Sequence, residues 1–227
     1  MKLFSKTARE PAAVFTVLLI GIDNDSVEEL VSICVDDPCE IIRLHSMRED
    51  FSDGGIGCPK ATAHFRAGGA PLLKAAASQK RGRDFDGYVL YTYQNVMQIA
   101  NVVGGLELRI KPEERKALNE QIRKFCLKTG KPCESETIPE SGSAPVRMDG
   151  LRTAAFLRMP SSGVQSLARI RRLLSALKCS VRGLGARELG VLADALLSVV
   201  RTDIPSRVIL SYLLGVRKYL RYGLLSD

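Results

Sequence analysis

The stretch PAAVFTVLLIGID constrains this chain more than any other feature. Its apolar run, Ala12 to Ile22, is rich in Val, Phe, Thr, Leu and Ile, and it is too short to cross a bilayer core. Lys2, Lys6 and Arg9 precede it, which is the basic start and apolar middle of a secretory signal. Glu10 and Pro11 interrupt that pattern, and no small-x-small cleavage site follows before Asp23. The run reads instead as a buried first β-strand. A buried strand commits the chain to a sheet with other elements packed on it.

Downstream, NDSVEELVSIC carries Ser26 and Glu29 at capping-box spacing, which predicts a helix whose apolar face is Val27, Leu30, Val31 and Cys34. CEIIRLH, residues 39–45, reads as a strand, KATAHFRA as a short strand and APLLKAAASQK as a helix. GYVLYTYQ alternates and is rich in β-formers, the pattern of a strand. QNVMQIANVV extends that strand or opens a helix, and GLELRI is a further strand. KPEERKALNEQIRKFCLKTGK has Pro112 at its start, Glu113 and Glu114 in its first turn and Gly130 at its end; these are helix signals at both termini. Residues 129–150 hold few apolar side chains and many turn formers, so they read as a linker. LRTAAFLRM reads as a last strand, and helices follow at 163–182, 186–201 and from Asp203 or Pro205 to Tyr222.

Charge divides the chain at the same linker. Through Val146 there are 19 Lys+Arg against 20 Asp+Glu, and from Arg147 onward 14 against 5. The net charge of +8 therefore comes entirely from the last third, where Arg outnumbers Lys 12 to 2. The expected fold is α+β. A near-neutral mixed-sheet domain with helices, residues 1–145, is followed by a basic three-helix domain, residues 146–227.

Motifs for catalysis or cofactors are weak. DGGIGCPKAT has glycines, Lys60 and Thr62, but Cys58 and Pro59 separate Gly57 from Lys60, which breaks phosphate-loop spacing. Cys34, Cys39, His45, Cys58 and His64 are weak candidates for a metal site, because zinc needs four converging ligands and usually close pairs. Neither histidine has a nucleophile signature beside it. No cofactor is implied, and the reading leans away from an enzyme. Six widely spaced cysteines in a chain of this length read as reduced thiols of an intracellular protein, cytoplasmic or nuclear, rather than a disulfide framework.

What remains is arginine on helices. SLARIRRLLSALKCSVR places Leu167, Ile170, Leu174, Leu177 and Val181 at helical spacing with five cations and no acid between them. The expected anion contacts are Arg169, Arg171, Arg172, Lys178, Arg182, Arg207, Arg217, Lys218 and Arg221, since arginine forks grip phosphate. The first functional expectation is a non-enzymatic RNA-binding or nucleocapsid-associated structural protein, with RNA favoured over DNA. The second is a peripheral membrane or assembly protein, matrix-like, that meets anionic lipid and self-associates as a homo-oligomer. The third is an enzyme with its site on the N-terminal domain.

Overall fold

A computed structural model describes residues 15–35, 42–53, 58–130, 133, 135–142, 144–160, 163–182 and 184–209. The apolar run becomes β1 (Phe15–Asp23), the centre of a five-stranded sheet. Its neighbours are β2 (Ser26–Val35) and β4 (Gly87–Thr92). Outside these lie β3 (Ile42–Ser46) and the two-residue β7 (Arg201–Thr202), giving the order β3-β2-β1-β4-β7. The sheet is mixed: β1 runs parallel to β4, and every other pairing is antiparallel.

The segment expected to be a helix at 26–34 is β2. The reason is the turn before it. Asn24 and Asp25 both adopt positive φ, 49° and 58°, so Asp23 and Ser26 pair across a two-residue hairpin. Two left-handed residues match the twist of paired strands, and Asn and Asp tolerate that conformation. The residues read as helix caps therefore serve as turn residues.

Alternation along β1 feeds two layers. Leu18 and Ile20 join Val27, Leu30, Phe51 and Leu73 on one face, which α1 (Pro59–Arg81) covers. The short strand expected at 60–67 belongs to this helix, which breaks at Gly68 and Gly69 before Pro71. Leu19, Val31 and Ile33 face the larger cluster on the other side. That side holds α2 (Tyr93–Val102), α3 (Pro112–Thr129), α4 (Gly150–Leu157) and α5 (Gly163–Arg182). Helix α6 (Ala186–Val199) packs against α2. A small ribbon of β5 (Leu106–Leu108) and β6 (Val146–Met148) completes the layer.

The architecture is α+β with a mixed sheet, as the sequence indicated. The expected boundary at residue 145 falls between β5 and β6, which pair with each other. Leu118 and Ile122 of α3 share one buried cluster with Ile170, Leu173 and Ala176 of α5, so elements on both sides of that boundary form a common core. LRTAAFLRM is helix α4, not a strand. Asp149 caps it by accepting from the Arg152 amide at 2.9 Å, and seven of its eight residues from Gly150 to Leu157 are buried. The third C-terminal helix is described only as far as Ile209.

Candidate functional site

Between the sheet and the second helical layer lies a cavity of about 200 Å³. The sheet supplies Leu19, Val89 and Tyr91; α2 supplies Val96, Ile99 and Ala100; α5 supplies Ile170, Leu173, Leu174 and Leu177; and Leu196 of α6 closes one side. Its walls expose carbon alone. Thr153 also lines it, but its hydroxyl turns back to the Asp149 carbonyl at 2.7 Å. Carbon walls of this kind accept hydrocarbon.

At the Tyr91 side of this cavity the strands and α5 bury a polar cluster. Glu29 is 7% exposed, Arg169 5% and Ser166 3%. Arg48 Nη1 lies 3.5 Å from Glu29 Oε1, and Ser166 stands within hydrogen-bonding reach of the same carboxyl. Tyr91 joins the cluster to the cavity, because it lines the wall while its hydroxyl lies over Gly21, its partner across the β1–β4 pairing. A Cβ at Gly21 would lie 2.7 Å from Tyr91 Oη and 3.0 Å from Glu29 Cβ. Glycine is what lets these side chains meet. Arg169 makes a second junction, since the next residue, Ile170, lines the cavity.

Burial pushes the Glu29 carboxyl above the ordinary glutamate range, although Ser166, Arg48 and Arg169 all pull it down. Burial likewise lowers Arg169, while Glu29 and Glu114 favour its charged form. Arg169 Nη2 donates to the Met159 carbonyl at 2.6 Å. Glu29 Oε2 and Arg169 Nε have no hydrogen-bond partner among the described residues. Leaving a buried polar atom unpaired costs about 1–3 kcal/mol, which a polar ligand atom or an ordered water would relieve.

Two further arginines surround the cluster. Arg158 pairs with Asp23 and sits 5.1 Å from the Tyr93 ring centre. Arg172 pairs with Glu114 at 2.7 Å, donates to the Arg109 carbonyl and lies 5.0 Å over Phe156. Of the nine cations expected to meet an anion, Arg169 and Arg172 thus turn into the molecule. Arg171 and Arg207 are exposed, Lys178 is half-buried, and Arg182 closes α5. Arg217, Lys218 and Arg221 lie outside the described residues. Sequence reasoning missed Glu29, Arg48 and Arg158. The weak metal candidates do not gather. Cys34 is in β2, His45 in β3, Cys58 at the start of α1 and His64 within it, while Cys39 lies outside the described residues. Among the described residues no group of three or more His, Cys, Asp or Glu could hold a metal ion.

No protein-family model and no curated protein matches the sequence. The fold, however, is that of solved LytR-CPS2A-psr structures. A putative transcriptional regulator, YwtF of Bacillus subtilis, is 18% identical with a TM-score of 0.68, covering 96% of this chain and 77% of that one. TagT bound to LI-WTA is 16% identical with a TM-score of 0.66, over 93% and 78% of the two chains. The LytR-CPS2A-psr family protein YwtF (TagT) with bound octaprenyl pyrophosphate lipid is 17% identical with a TM-score of 0.63, over 93% and 77%. These likenesses overturn the expected RNA-binding, nucleocapsid-associated or matrix-like structural role. The ligands that the two TagT structures carry are a lipid pyrophosphate and LI-WTA rather than nucleic acid. The physical reason is visible in α5, where Arg169 is buried and Arg172 is paired. A surface for tracking phosphates needs those side chains in solvent.

Proposed function

We propose that this chain binds an isoprenoid lipid through an anionic phosphate or pyrophosphate head. The hydrocarbon occupies the cavity between the sheet, α2, α5 and α6. The head group meets the guanidinium groups at its Tyr91 side, Arg169 first and Arg48 beside it. The observation that carries this reading is a carbon-walled cavity that shares Tyr91 with a buried polar cluster, whose Arg169 Nε has no partner among the described residues. Likeness of fold to a protein holding octaprenyl pyrophosphate supports it. A cavity of about 150 Å³ takes a benzene ring, so 200 Å³ takes a short branched stretch of hydrocarbon. Guanidinium forks match phosphate oxygens in geometry and charge. The basic final third of the chain adds a field that attracts such anions.

Titration calorimetry with farnesyl pyrophosphate tests this. Wild-type protein binds it more tightly than it binds farnesol or inorganic pyrophosphate, because each probe lacks one half of the ligand. Leu177→Trp fills the cavity from a half-buried wall position, and Arg169→Ala removes the head-group contact. Each weakens binding by about tenfold or more: Arg169→Ala loses a charged hydrogen bond, and Leu177→Trp occupies the volume the hydrocarbon needs. Equal affinity for farnesyl pyrophosphate and inorganic pyrophosphate, undiminished in Leu177→Trp, rules the reading out.

A further inference from the structure

Glu29 is out of place in a pocket for an anion. Its carboxylate lies among the guanidinium groups that would hold the head group: Arg48 Nη1 is 3.5 Å from Oε1, and the Arg169 charge acts on it as well. While Glu29 is ionised it both neutralises those cations and repels a phosphate. Its second oxygen, Oε2, is buried with no partner among the described residues. We propose that Glu29 and the anionic head group compete for Arg48 and Arg169, so that Glu29 takes up a proton from solvent when the head group binds. The inference rests on the lipid-phosphate reading and adds a proton to it. The chemistry balances as one exchange. A proton enters the carboxyl group, the guanidinium groups turn from carboxylate to phosphate, and the new O–H on Glu29 can donate to a phosphate oxygen. No covalent bond in the ligand changes.

The groups that face Glu29 come from every element packed around it. Arg48 comes from the segment after β3, Arg169 and Ser166 from α5, Tyr91 from β4, Tyr93 from α2, Cys58 from the start of α1, and Glu28 from its own strand. Burial holds Tyr91 and Tyr93 above the ordinary tyrosine range and pushes the Cys58 thiol up to about 11. All three are neutral near pH 7, and arginine stays protonated there. Burial also places the Glu29 carboxyl above its ordinary range before any ligand arrives, so a proton is within reach at mild pH.

Calorimetry of farnesyl pyrophosphate in buffers of different ionisation enthalpy reads the proton directly. At a pH where free Glu29 is ionised, wild type takes up about one proton more per site than Glu29→Gln does. Its affinity also falls by about tenfold for each pH unit above the Glu29 pKa, relative to the variant. The isosteric variant carries the background titration of the probe itself. Infrared difference spectra of wild type alone give a second reading: adding farnesyl pyrophosphate at constant pH raises a protonated-carboxyl carbonyl band. Binding with equal proton uptake in both proteins and no such band overturns the competition alone. Absence of binding in both proteins at every pH overturns the lipid-phosphate reading and this inference with it.

Discussion

At the scale of single residues, the chemistry of this protein is set by where side chains are buried rather than by which they are. Glu28 and Glu29 are adjacent and identical in type, yet Glu29 is nearly out of solvent while Glu28 is half-exposed. Because burial raises the Glu29 pKa in the folded state, the folded protein holds the proton to higher pH than the unfolded chain does. Its stability contribution is fully present below the unfolded value and is lost as pH rises through the folded one. Thermal unfolding of wild type should therefore show a falling midpoint on going from the ordinary glutamate range to mildly acidic or neutral pH. Glu29→Gln should lack that component of the fall. Identical pH profiles for the two proteins would show that Glu29 is not the group responsible. The thiols should separate in the same way. Cys58 is buried, with its pKa raised to about 11 by burial, and Cys179 is exposed. Peptide mapping after brief maleimide treatment at neutral pH should find label on Cys179 and none on Cys58 until denaturant is added, because the thiolate is the reactive form.

Elements that were legible in the sequence are those whose pattern comes from having one wet face. Helix α3 has caps at both ends and a clear inner face, and α5 alternates its leucines with arginines. Both form where the pattern placed them. Helix α4 was illegible because it is buried nearly all round, and a helix with no solvent face shows no 3.6-residue period. Strand β2 was misread because Ser26 and Glu29 imitate a capping box by spacing alone. A signal for the site lay there too. As a strand, SVEELVSICV sets Glu29 on the face of Val31 and Ile33, an acid among apolar neighbours, which structures rarely leave without a purpose. The sequence offered Arg169 as a candidate anion contact but could not show its burial, since that depends on how α5 seats against the sheet.

Contact between α2 and α4 gives a test at this scale. A Cβ on Gly150 would lie 2.3 Å from the Met97 carbonyl oxygen and 2.8 Å from Asn101 Oδ1, and Asn101 Oδ1 accepts from the Gly150 amide at 2.8 Å. Backbone cannot yield as a flexible side chain does. Gly150→Ala should destabilise by about 1–3 kcal/mol, the usual cost of overpacking, seen as a lower denaturant midpoint. An unchanged midpoint would mean that α2 and α4 do not approach this closely.

Across the whole molecule, the charge asymmetry proves to be more than a surface property. The basic final third contributes α5 and α6 to a layer shared with the rest of the chain, and it turns two of its arginines inward. Part of the charge that suggested a nucleic-acid surface is thus directed at internal acids: Arg172 at Glu114, Arg158 at Asp23. The same packing leaves a carbon-walled cavity between the sheet, α2, α5 and α6. Composition could report the cations but not the cavity, because a cavity is made by several elements failing to fill one space.

That cavity is where the functional reading can be tested most directly. A photoactivatable isoprenoid pyrophosphate, with its reactive group near the end of the hydrocarbon, should crosslink to residues of the cavity wall. Peptide mapping should place the label on Leu174, Leu177 or Leu196, and unlabelled farnesyl pyrophosphate should compete it away. Label confined to the outer faces of α5 and α6, or label that farnesyl pyrophosphate fails to displace, would contradict lipid binding in the cavity.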